Sequence, residues 1–310
     1  MPLYQELSQS RPEKEVVFAI GVFDGVHRGH QHLMSIVRDE ARHRGALSGA
    51  ITFANHPRNV LLPENPILLI NDITDRIKLL SEQVDFVVPL TFDIDLSRIR
   101  AREFCQNLVE LVKMNELVVG PDFALGFQRE GTPQVLAEIG MDLGFSVRVV
   151  DLFLQDQQGI SSTVIRTMIE GGNVVDAGNC LGYPVFLKGM VQYGSQQGRI
   201  LGFPTANVIP ASSAVTPRDG VYAGLVSIGE DRARPAAISV GTRPTFGKNA
   251  RVVEAFIIDF DADIYGRGIK IEFHKWLRDQ AIFDSMEDLK SQMSLDVESV
   301  VEFVESLNLG

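Results

Sequence analysis

The sequence predicts an α/β doubly wound parallel sheet in the first part of the chain and a small antiparallel β-barrel with terminal helices in the second. The first part alternates short apolar runs with segments of helical periodicity, which is the pattern of a parallel sheet with crossover helices. After Gly182 the helical periodicity gives way to short strand-like runs separated by Gly and Pro, as in small barrels. A chain of 310 residues is also long enough for two domains of ~100–200 residues each. We therefore expect one domain over residues 1–182 and a second over residues 183–310.

The predicted elements of the first domain alternate between strand and helix. Val16 to Ile20 is a run of apolar residues, which predicts a short buried strand. Leu33, Ile36 and Val37 recur at helical spacing after it, and Gly45 is a plausible stop for that helix. The predicted strands cover residues 16–20, 48–53, 85–89, 117–119 and 146–150, and the predicted helices cover residues 31–44, 75–83, 97–113 and 132–143.

The predicted elements of the second domain are mostly strands. Two helices close the chain, and Ser285 with Asp288 three residues later forms a partial capping box at the start of the first. The predicted strands cover residues 185–192, 220–227, 236–240, 251–260 and 268–273, and the second closing helix covers residues 296–307.

The composition is that of a globular protein with an acidic surface. Apolar residues make up 45% of the chain and charged residues 22%. Lys and Arg total 29 and Asp and Glu total 40, so the net charge is −11, which argues against non-specific binding to nucleic acid or anionic membranes. Cys105 and Cys180 are far apart and have no metal-ligand spacing, so a disulfide framework is not expected. Residues 1–15 lack a signal-peptide core and no run reaches the ~20 apolar residues of a membrane span. We expect a cytoplasmic protein, either a monomer or a weak homo-oligomer.

Two histidines follow the first predicted strand. His27 and His30 lie in a strand-to-helix turn, where the free N–H groups and the positive dipole end of a helix favour anions. Gly29 between them has no side chain, so a phosphate could approach the backbone there. The imidazoles could then stabilise the charge that builds up during phosphate transfer. The alternative is a pair of polar loop residues near a helix start.

A second helix start lies near the end of the first domain. Ser162 or Thr163 would cap a helix that runs to Glu170. Arg166 falls in its first turn, where an arginine opposes the helix dipole unless it binds an anion. The alternative is an ordinary cap with a surface arginine. The sequence contains neither a P-loop motif nor a Gly-x-Gly-x-x-Gly motif.

The second domain contains a glycine-rich segment over residues 198–207. It ends in a hydroxyl, Thr205, and an amide, Asn207. Such a segment suits phosphates together with Mg²⁺, a hard cation that prefers oxygen ligands. The alternative is a structural hairpin.

Glu254 is an acidic residue within an apolar strand. Alternate residues of a strand share a face, so Glu254 shares its face with Val252, Phe256 and Ile258. A carboxylate in such a place suits a general base acting on an alcohol. The alternative is an edge-strand glutamate that faces water.

Several segments together carry a family resemblance along nearly the whole chain. The chain resembles the bacterial bifunctional riboflavin kinase/FAD synthetases, whose N-terminal domain has a nucleotidylyltransferase-like fold. The segments occur in the expected order: GVFDGVHRGH, TFANHP, VVGPDFALG, ISSTVIR, GRILGFPTAN, DGVYAG, VGTRPTFG, VEAFIIDFDADIYG and LRDQAIFDS.

The resemblance implies two reactions that both use ATP and Mg²⁺. The barrel would phosphorylate riboflavin to FMN, and the first domain would transfer AMP to FMN, giving FAD and pyrophosphate. The implied catalytic residues are His27, His30, Arg166 and Glu254. The resemblance implies ATP binding by Gly21, Phe23, Asp24, Gly25, Gly29, Ser162, Thr163, Gly198, Arg199, Gly202 and Pro204. It also implies flavin binding by His56, Pro57, Asp122 and Phe123, and metal binding by Thr205 and Asn207.

The chain departs from the family at a few positions. Relatives usually have Arg and Phe where this chain has Ala124 and Leu125, which affects the expected flavin site, and they commonly have Arg in place of Tyr183. Three other functions remain open: a riboflavin kinase with an inactive first domain, a flavin-binding protein without turnover, and a nucleotidylyltransferase for another phosphate.

Overall fold

The computed structural model describes residues 2–151, 154–155, 158–194, 198, 201–211, 213–229, 231–242 and 251–306. The chain divides into two compact units, Met1–Ser162 and Thr163–Gly310.

The first unit is built on a parallel sheet whose five strands have the order β3-β2-β1-β4-β5. All of its strand pairs are parallel, as predicted. The strands are β1 Val16–Ile20, β2 Leu47–Phe53, β3 Phe86–Leu90, β4 Met114–Val119 and β5 Ser146–Val149. A separate two-stranded hairpin pairs β6 Leu154–Gln155 with β7 Gln158–Gly159.

Helices cover both faces of this sheet, which confirms the doubly wound architecture. Phe18 of β1 belongs to one apolar cluster, and Val17 and Ala19 belong to another. The helices of the unit are α1 Pro2–Gln9, α2 Arg28–Arg44, α3 Pro57–Leu61, α4 Ile73–Ser81, α5 Ile94–Arg98, α6 Ala101–Val112 and α7 Pro133–Leu143.

The prediction of one helix over residues 97–113 is wrong, because α5 and α6 are separated at Ile99 and Arg100. Both residues have extended backbone angles. The Ile99 carbonyl accepts a hydrogen bond from the Phe127 N–H, and Glu130 accepts one from the Ala101 N–H. The segment around residues 126–130 therefore binds the backbone groups that a continuous helix would have used.

The division falls after the first residue of helix α8 Ser162–Glu170, and helix α9 Val174–Leu181 follows in the second unit. Helix α8 ends at Glu170 as predicted, and Gly172 follows it with a φ of 82°. The prediction that Ser162 or Thr163 caps this helix is wrong, since both residues lie inside it.

A closed antiparallel barrel with the strand order β10-β11-β12-β9-β8-β13 follows these helices and confirms the predicted fold. On β12 the burial alternates, with Val253 and Ala255 fully buried and Glu254 half-buried. The strands are β8 Val185–Gln192, β9 Thr205–Val208, β10 Gly220–Ile228, β11 Arg234–Thr242, β12 Arg251–Ile257 and β13 Gly268–Arg278.

The two predicted closing helices are one helix, α10 Met286–Ser306. Ser285 does cap it, because the Ser285 hydroxyl accepts the Asp288 N–H at 3.1 Å. The predicted second start at Asp296 is instead a buried mid-helix residue that pairs with Arg278. The predicted end at Leu307 lies outside the described residues. No helix in the described ranges is both long enough and apolar enough to cross a membrane.

Candidate functional site

The turn between β1 and α2 brings His27 and His30 together. The structure starts α2 three residues before the predicted position, at Arg28, because His27 caps the helix and its Nδ1 accepts the His30 N–H at 3.4 Å. The two rings stack with their centroids 3.6 Å apart and their planes 18° apart. Phe23 packs edge-on against the His30 ring at 5.2 Å. The imidazoles thus form one unit at the N-terminus of a helix of 17 residues.

Both imidazoles are neutral at neutral pH. His27 is 4% exposed, and burial lowers its pKa to about 4. Burial lowers the pKa of His30 well below its usual value, and the charge of Arg76, together with the charge that His27 would carry when protonated, lowers it further. His30 Nδ1 is buried and has no hydrogen-bond partner among the described residues. A neutral imidazole can donate one N–H to a phosphate oxygen.

Two glycines allow the backbone conformation and the close packing of this turn. A Cβ on Gly29 would lie 3.2 Å from the His27 ring, so a larger residue would crowd the imidazoles. Gly25 has a φ of 80°, in the left-handed region that favours glycine. The predicted glycines therefore match the space that the turn requires.

Asp24 is buried and fastens the turn to the segment before α4. Its carboxylate accepts the N–H groups of Ile70 at 3.0 Å and Asn71 at 3.4 Å. Its carbonyl accepts the Ser162 hydroxyl at 2.8 Å. Asp24 and Ser162 thus shape the turn through contacts with the protein itself.

The predicted flavin residues follow strands β2 and β4, which flank β1. Because the three strands are parallel, their carboxyl ends lie at the same sheet edge as His27. His56 caps α3 by accepting the Arg58 N–H at 3.1 Å, and Pro57 is the first residue of that helix. Asp122 is exposed, and Phe123 is half-buried against the core.

Arg166 and Thr163 belong to the second compact unit. Arg166 donates a hydrogen bond to the Thr163 hydroxyl at 3.4 Å. Their assignment to nucleotide binding stays a prediction.

A second candidate site lies on the outer face of the barrel. Glu254 and Thr205 stand on adjacent strands, and the Thr205 hydroxyl donates to Glu254 Oε2 at 3.4 Å. Both residues line a cavity of about 290 Å³ between the barrel and α10. Phe203 and Phe256 contact each other edge-on in the wall of this cavity at 5.1 Å. A half-buried carboxylate thus faces an aromatic-lined space that suits a small ligand.

Asn207 lies beside this cavity and has an unused buried oxygen. It is 5% exposed, and its Nδ2 donates to the Thr205 carbonyl at 3.2 Å, whereas its Oδ1 has no hydrogen-bond partner among the described residues. A Cβ on Gly194 would lie 2.5 Å from the Asn207 side chain, so glycine is needed there.

Thr205 and Asn207 also line a second cavity of about 580 Å³, together with Pro204. Thr205 therefore borders both cavities, with Glu254 next to it. A buried amide oxygen, a hydroxyl and a nearby carboxylate are the donors that Mg²⁺ prefers, so the residues fit this ion.

The local backbone requires two glycines in the segment that the sequence predicts to bind phosphate. Gly202 has a φ of 88°, and a Cβ on Gly198 would lie 2.3 Å from the Phe203 carbonyl oxygen. Arg199 lies outside the described residues.

Sequence reasoning missed Arg76 of α4. Its side chain is fully buried and donates to backbone carbonyls beside the histidine turn. The available signal was a charged residue on the apolar stripe of a helix, between Ile73 and Leu80.

Sequence models of two families match the chain. The FAD synthetase family matches residues 9–164 and the riboflavin kinase family matches residues 181–304. The bifunctional riboflavin kinase/FMN adenylyltransferase of Escherichia coli (strain K12) is 34% identical over 300 residues, covering 96% of this chain and 95% of the relative. The protein of the same name from Bacillus subtilis (strain 168) is 30% identical over 298 residues, covering 94% and 93%. A crystal structure described as a macrolide-efflux protein from Streptococcus pneumoniae matches with a TM-score of 0.87 and 31% identity, covering 95% of this chain and 96% of that one.

Proposed function

This chain belongs to the family of bifunctional riboflavin kinase/FMN adenylyltransferases, which are transferases, and we propose which of its residues carry out each of the two reactions. The kinase reaction converts riboflavin and ATP into FMN and ADP. The adenylyltransferase reaction converts FMN and a second ATP into FAD and pyrophosphate. We divide the two functions between residues 1–182 and residues 183–310.

His27 and His30 are the groups that act on the α-phosphate in adenylyl transfer. An oxygen of the FMN phosphate attacks the α-phosphorus, and the bond to the leaving pyrophosphate breaks. The attacking phosphate is already ionised at neutral pH, so this step needs no base. Two neutral imidazoles at a helix N-terminus instead supply hydrogen bonds to the charge that develops on the phosphoryl oxygens.

Further residues are assigned to nucleotide and flavin binding. Gly21, Phe23, Asp24, Gly25 and Gly29 shape the ATP pocket. On the family resemblance, Ser162, Thr163 and Arg166 also belong to ATP binding, and Arg166 supplies a fixed positive charge. His56, Pro57, Asp122 and Phe123 line the FMN site at the same sheet edge.

Glu254 is the base of the kinase reaction. The 5′-hydroxyl of the ribityl chain is an alcohol, so it must lose a proton when it attacks the γ-phosphorus and ADP leaves. Glu254 accepts that proton, and the Thr205 hydroxyl fixes one of its oxygens. The aromatic wall formed by Phe203 and Phe256 suits the flavin ring.

Thr205 and Asn207 are the residues that would hold Mg²⁺. When bound, the ion supplies charge neutralisation for the ATP phosphates. The support is the buried Asn207 Oδ1, which has no hydrogen-bond partner in the described part of the chain. Gly198, Arg199, Gly202 and Pro204 complete the ATP site on the family resemblance.

We also propose a cytoplasmic enzyme that acts on small molecules, does not bind nucleic acid or membranes, and is a monomer or a weak homo-oligomer. The support is the net charge of −11.

One observation carries the proposal: the stacked histidines lie in the first unit, and Glu254 with its hydrogen-bonded Thr205 lies in the second. The test incubates the purified protein with riboflavin, ATP and Mg²⁺ and follows the products by chromatography. We expect FMN to rise first and FAD to follow. FMN that never proceeds to FAD would support the alternative of a kinase with an inactive first domain.

A further inference from the structure

The turn that carries the histidines has a strained backbone. Phe23 has a φ of 50° and Val26 a φ of 34°, although neither is glycine. Residues with side chains persist in the left-handed region only where surrounding contacts hold them there. The position of His27 and His30 therefore depends on what fastens this turn.

Arg76 of α4 joins this turn to two other segments through three hydrogen bonds. Its Nη1 donates to the Val22 carbonyl at 3.1 Å and to the Phe53 carbonyl at 2.7 Å. Its Nη2 donates to the Asn71 carbonyl at 3.3 Å. One side chain thus joins the segment that follows β1 and the last residue of β2 to the segment before α4.

The contacts require the shape of a guanidinium. Arginine presents several donors in a planar fork, whereas lysine is a point charge on a flexible chain and cannot hold three separate carbonyls in fixed directions. Arg76 is fully buried, so water does not replace a lost contact easily. The Thr52 hydroxyl also donates to the Val22 carbonyl, at 2.9 Å, which confines the same point from the neighbouring strand.

Asp24 holds the other side of the turn to the same segment. Its carboxylate accepts the N–H groups of Ile70 and Asn71, next to the carbonyl that Arg76 binds. Asp24 and Arg76, an anionic and a cationic side chain, thus each connect the histidine turn to the segment before α4.

We propose that Arg76 is a positioning residue for adenylyl transfer, because its buried guanidinium holds the strained turn that aligns His27 with His30. The inference rests on the proposed role of these histidines. Arg76 acts through the turn and does not touch the substrate.

The test compares Arg76→Lys and Arg76→Met with the matched control Arg38→Met. Arg38 is a half-buried arginine of the same unit that donates to the Gln83 carbonyl at 2.6 Å, so the control also removes an arginine–carbonyl contact. Riboflavin phosphorylation is measured on each sample, and rates are expressed per folded molecule. Since a displacement of about 1 Å can cost ~100-fold in rate, we expect the kcat of FAD formation to fall ~10–100-fold in both Arg76 variants.

Several readouts separate positioning from simple stabilisation. We expect KM for FMN and the rate of FMN formation to stay near wild type in the Arg76 variants, and Arg38→Met to keep its FAD kcat. A wild-type FAD kcat in folded Arg76→Lys would overturn the inference, whatever happened to its melting temperature.

A crystal structure of Arg76→Lys gives a result that does not depend on turnover. We expect the two imidazole centroids, 3.6 Å apart in the wild type, to separate. An unchanged turn would overturn the inference. If instead the turn moved while His30→Ala kept full FAD synthesis, the proposed catalytic role of the histidines would fail and the structural role of Arg76 would stand.

Discussion

Acid should weaken the first unit through His27. Its pKa is about 4 in the folded protein, against 6.5 for an ordinary histidine, chiefly because the ring is buried. Between these values the unfolded chain binds a proton at this position and the folded protein does not. The free energy of unfolding therefore falls as the pH falls through this window, and above pH 6.5 the effect is absent.

The size of the effect follows from the two pKa values. Because the pKa of His27 is lower in the folded protein than in the unfolded chain, the linkage relation predicts that the free energy of unfolding falls by about 2 kcal/mol when the pH is lowered from 7 to 5. The change corresponds to an increase of roughly 30-fold in the population of the unfolded unit. His30 acts in the same direction, since its pKa is also lowered.

The assay is hydrogen–deuterium exchange of the amides in β1, corrected for the pH dependence of intrinsic exchange. All residues of β1 are buried, so these amides exchange when the unit unfolds. The informative variant is His27→Asn, because Asn removes the titrating ring but can still cap a helix. Its matched control is His43→Asn at the exposed end of α2. Fluorescence of Trp276, the one tryptophan of the chain, follows the barrel separately.

When the pH is lowered from 7 to 5, we expect the free energy of unfolding of the first unit to fall by about 2 kcal/mol more in the wild type and in His43→Asn than in His27→Asn. Equal losses in the wild type and in His27→Asn would refute the claim that a buried neutral imidazole occupies this position.

Further predictions concern the barrel. Gly194→Ala places a Cβ 2.5 Å from the Asn207 side chain, so we expect the Mg²⁺ concentration for half-maximal riboflavin phosphorylation to rise about tenfold while added FMN is still converted to FAD. Asp296→Asn breaks a bidentate ion pair with Arg278 whose contacts are 2.8 and 2.7 Å. Since Asp296 is 6% exposed, we expect the free energy of unfolding of the barrel to fall by about 3 kcal/mol. The measurement is urea denaturation monitored by the fluorescence of Trp276.

Each barrel prediction has a control. Gly268→Ala is the control for Gly194→Ala, because a Cβ at Gly268 meets only the Met190 sulfur, at 3.8 Å. An unchanged Mg²⁺ requirement in Gly194→Ala would remove the support for Asn207 as a ligand. Asp288→Asn, at the exposed start of α10, is the control for Asp296→Asn, and equal losses in the two would contradict a special role for the buried pair.

The parallel sheet could be predicted because its strands are apolar runs between turn residues. Val16 to Ile20 was predicted to the residue. The break between α5 and α6 could not be predicted, since it depends on hydrogen bonds from residues 126–130 that are distant in sequence. Strand β9 was missed because its glycine-rich approach favoured a loop. A polar residue inside α10, Asp296, was mistaken for a helix start because its partner Arg278 lies on another element.

The sites could be predicted only where their residues are close in sequence. His27 and His30 are three residues apart at a helix start, so local geometry alone brings them together. Glu254 and Thr205 meet through the pairing of two strands, which the sequence motifs suggested only by family resemblance. Arg76 acts on carbonyls of three other segments, and no local pattern specifies those contacts.

Two variants, each supplied with riboflavin and with FMN, test most directly the claim that each reaction is carried out by its own site. His30→Ala, given riboflavin, ATP and Mg²⁺, should accumulate FMN and form no FAD, whereas Glu254→Gln should form FMN at least ~100-fold more slowly yet convert added FMN to FAD at the wild-type rate. His32→Ala and Glu298→Gln, both exposed, should behave as the wild type. Loss of both reactions in either folded variant, or of neither, would contradict two independent sites.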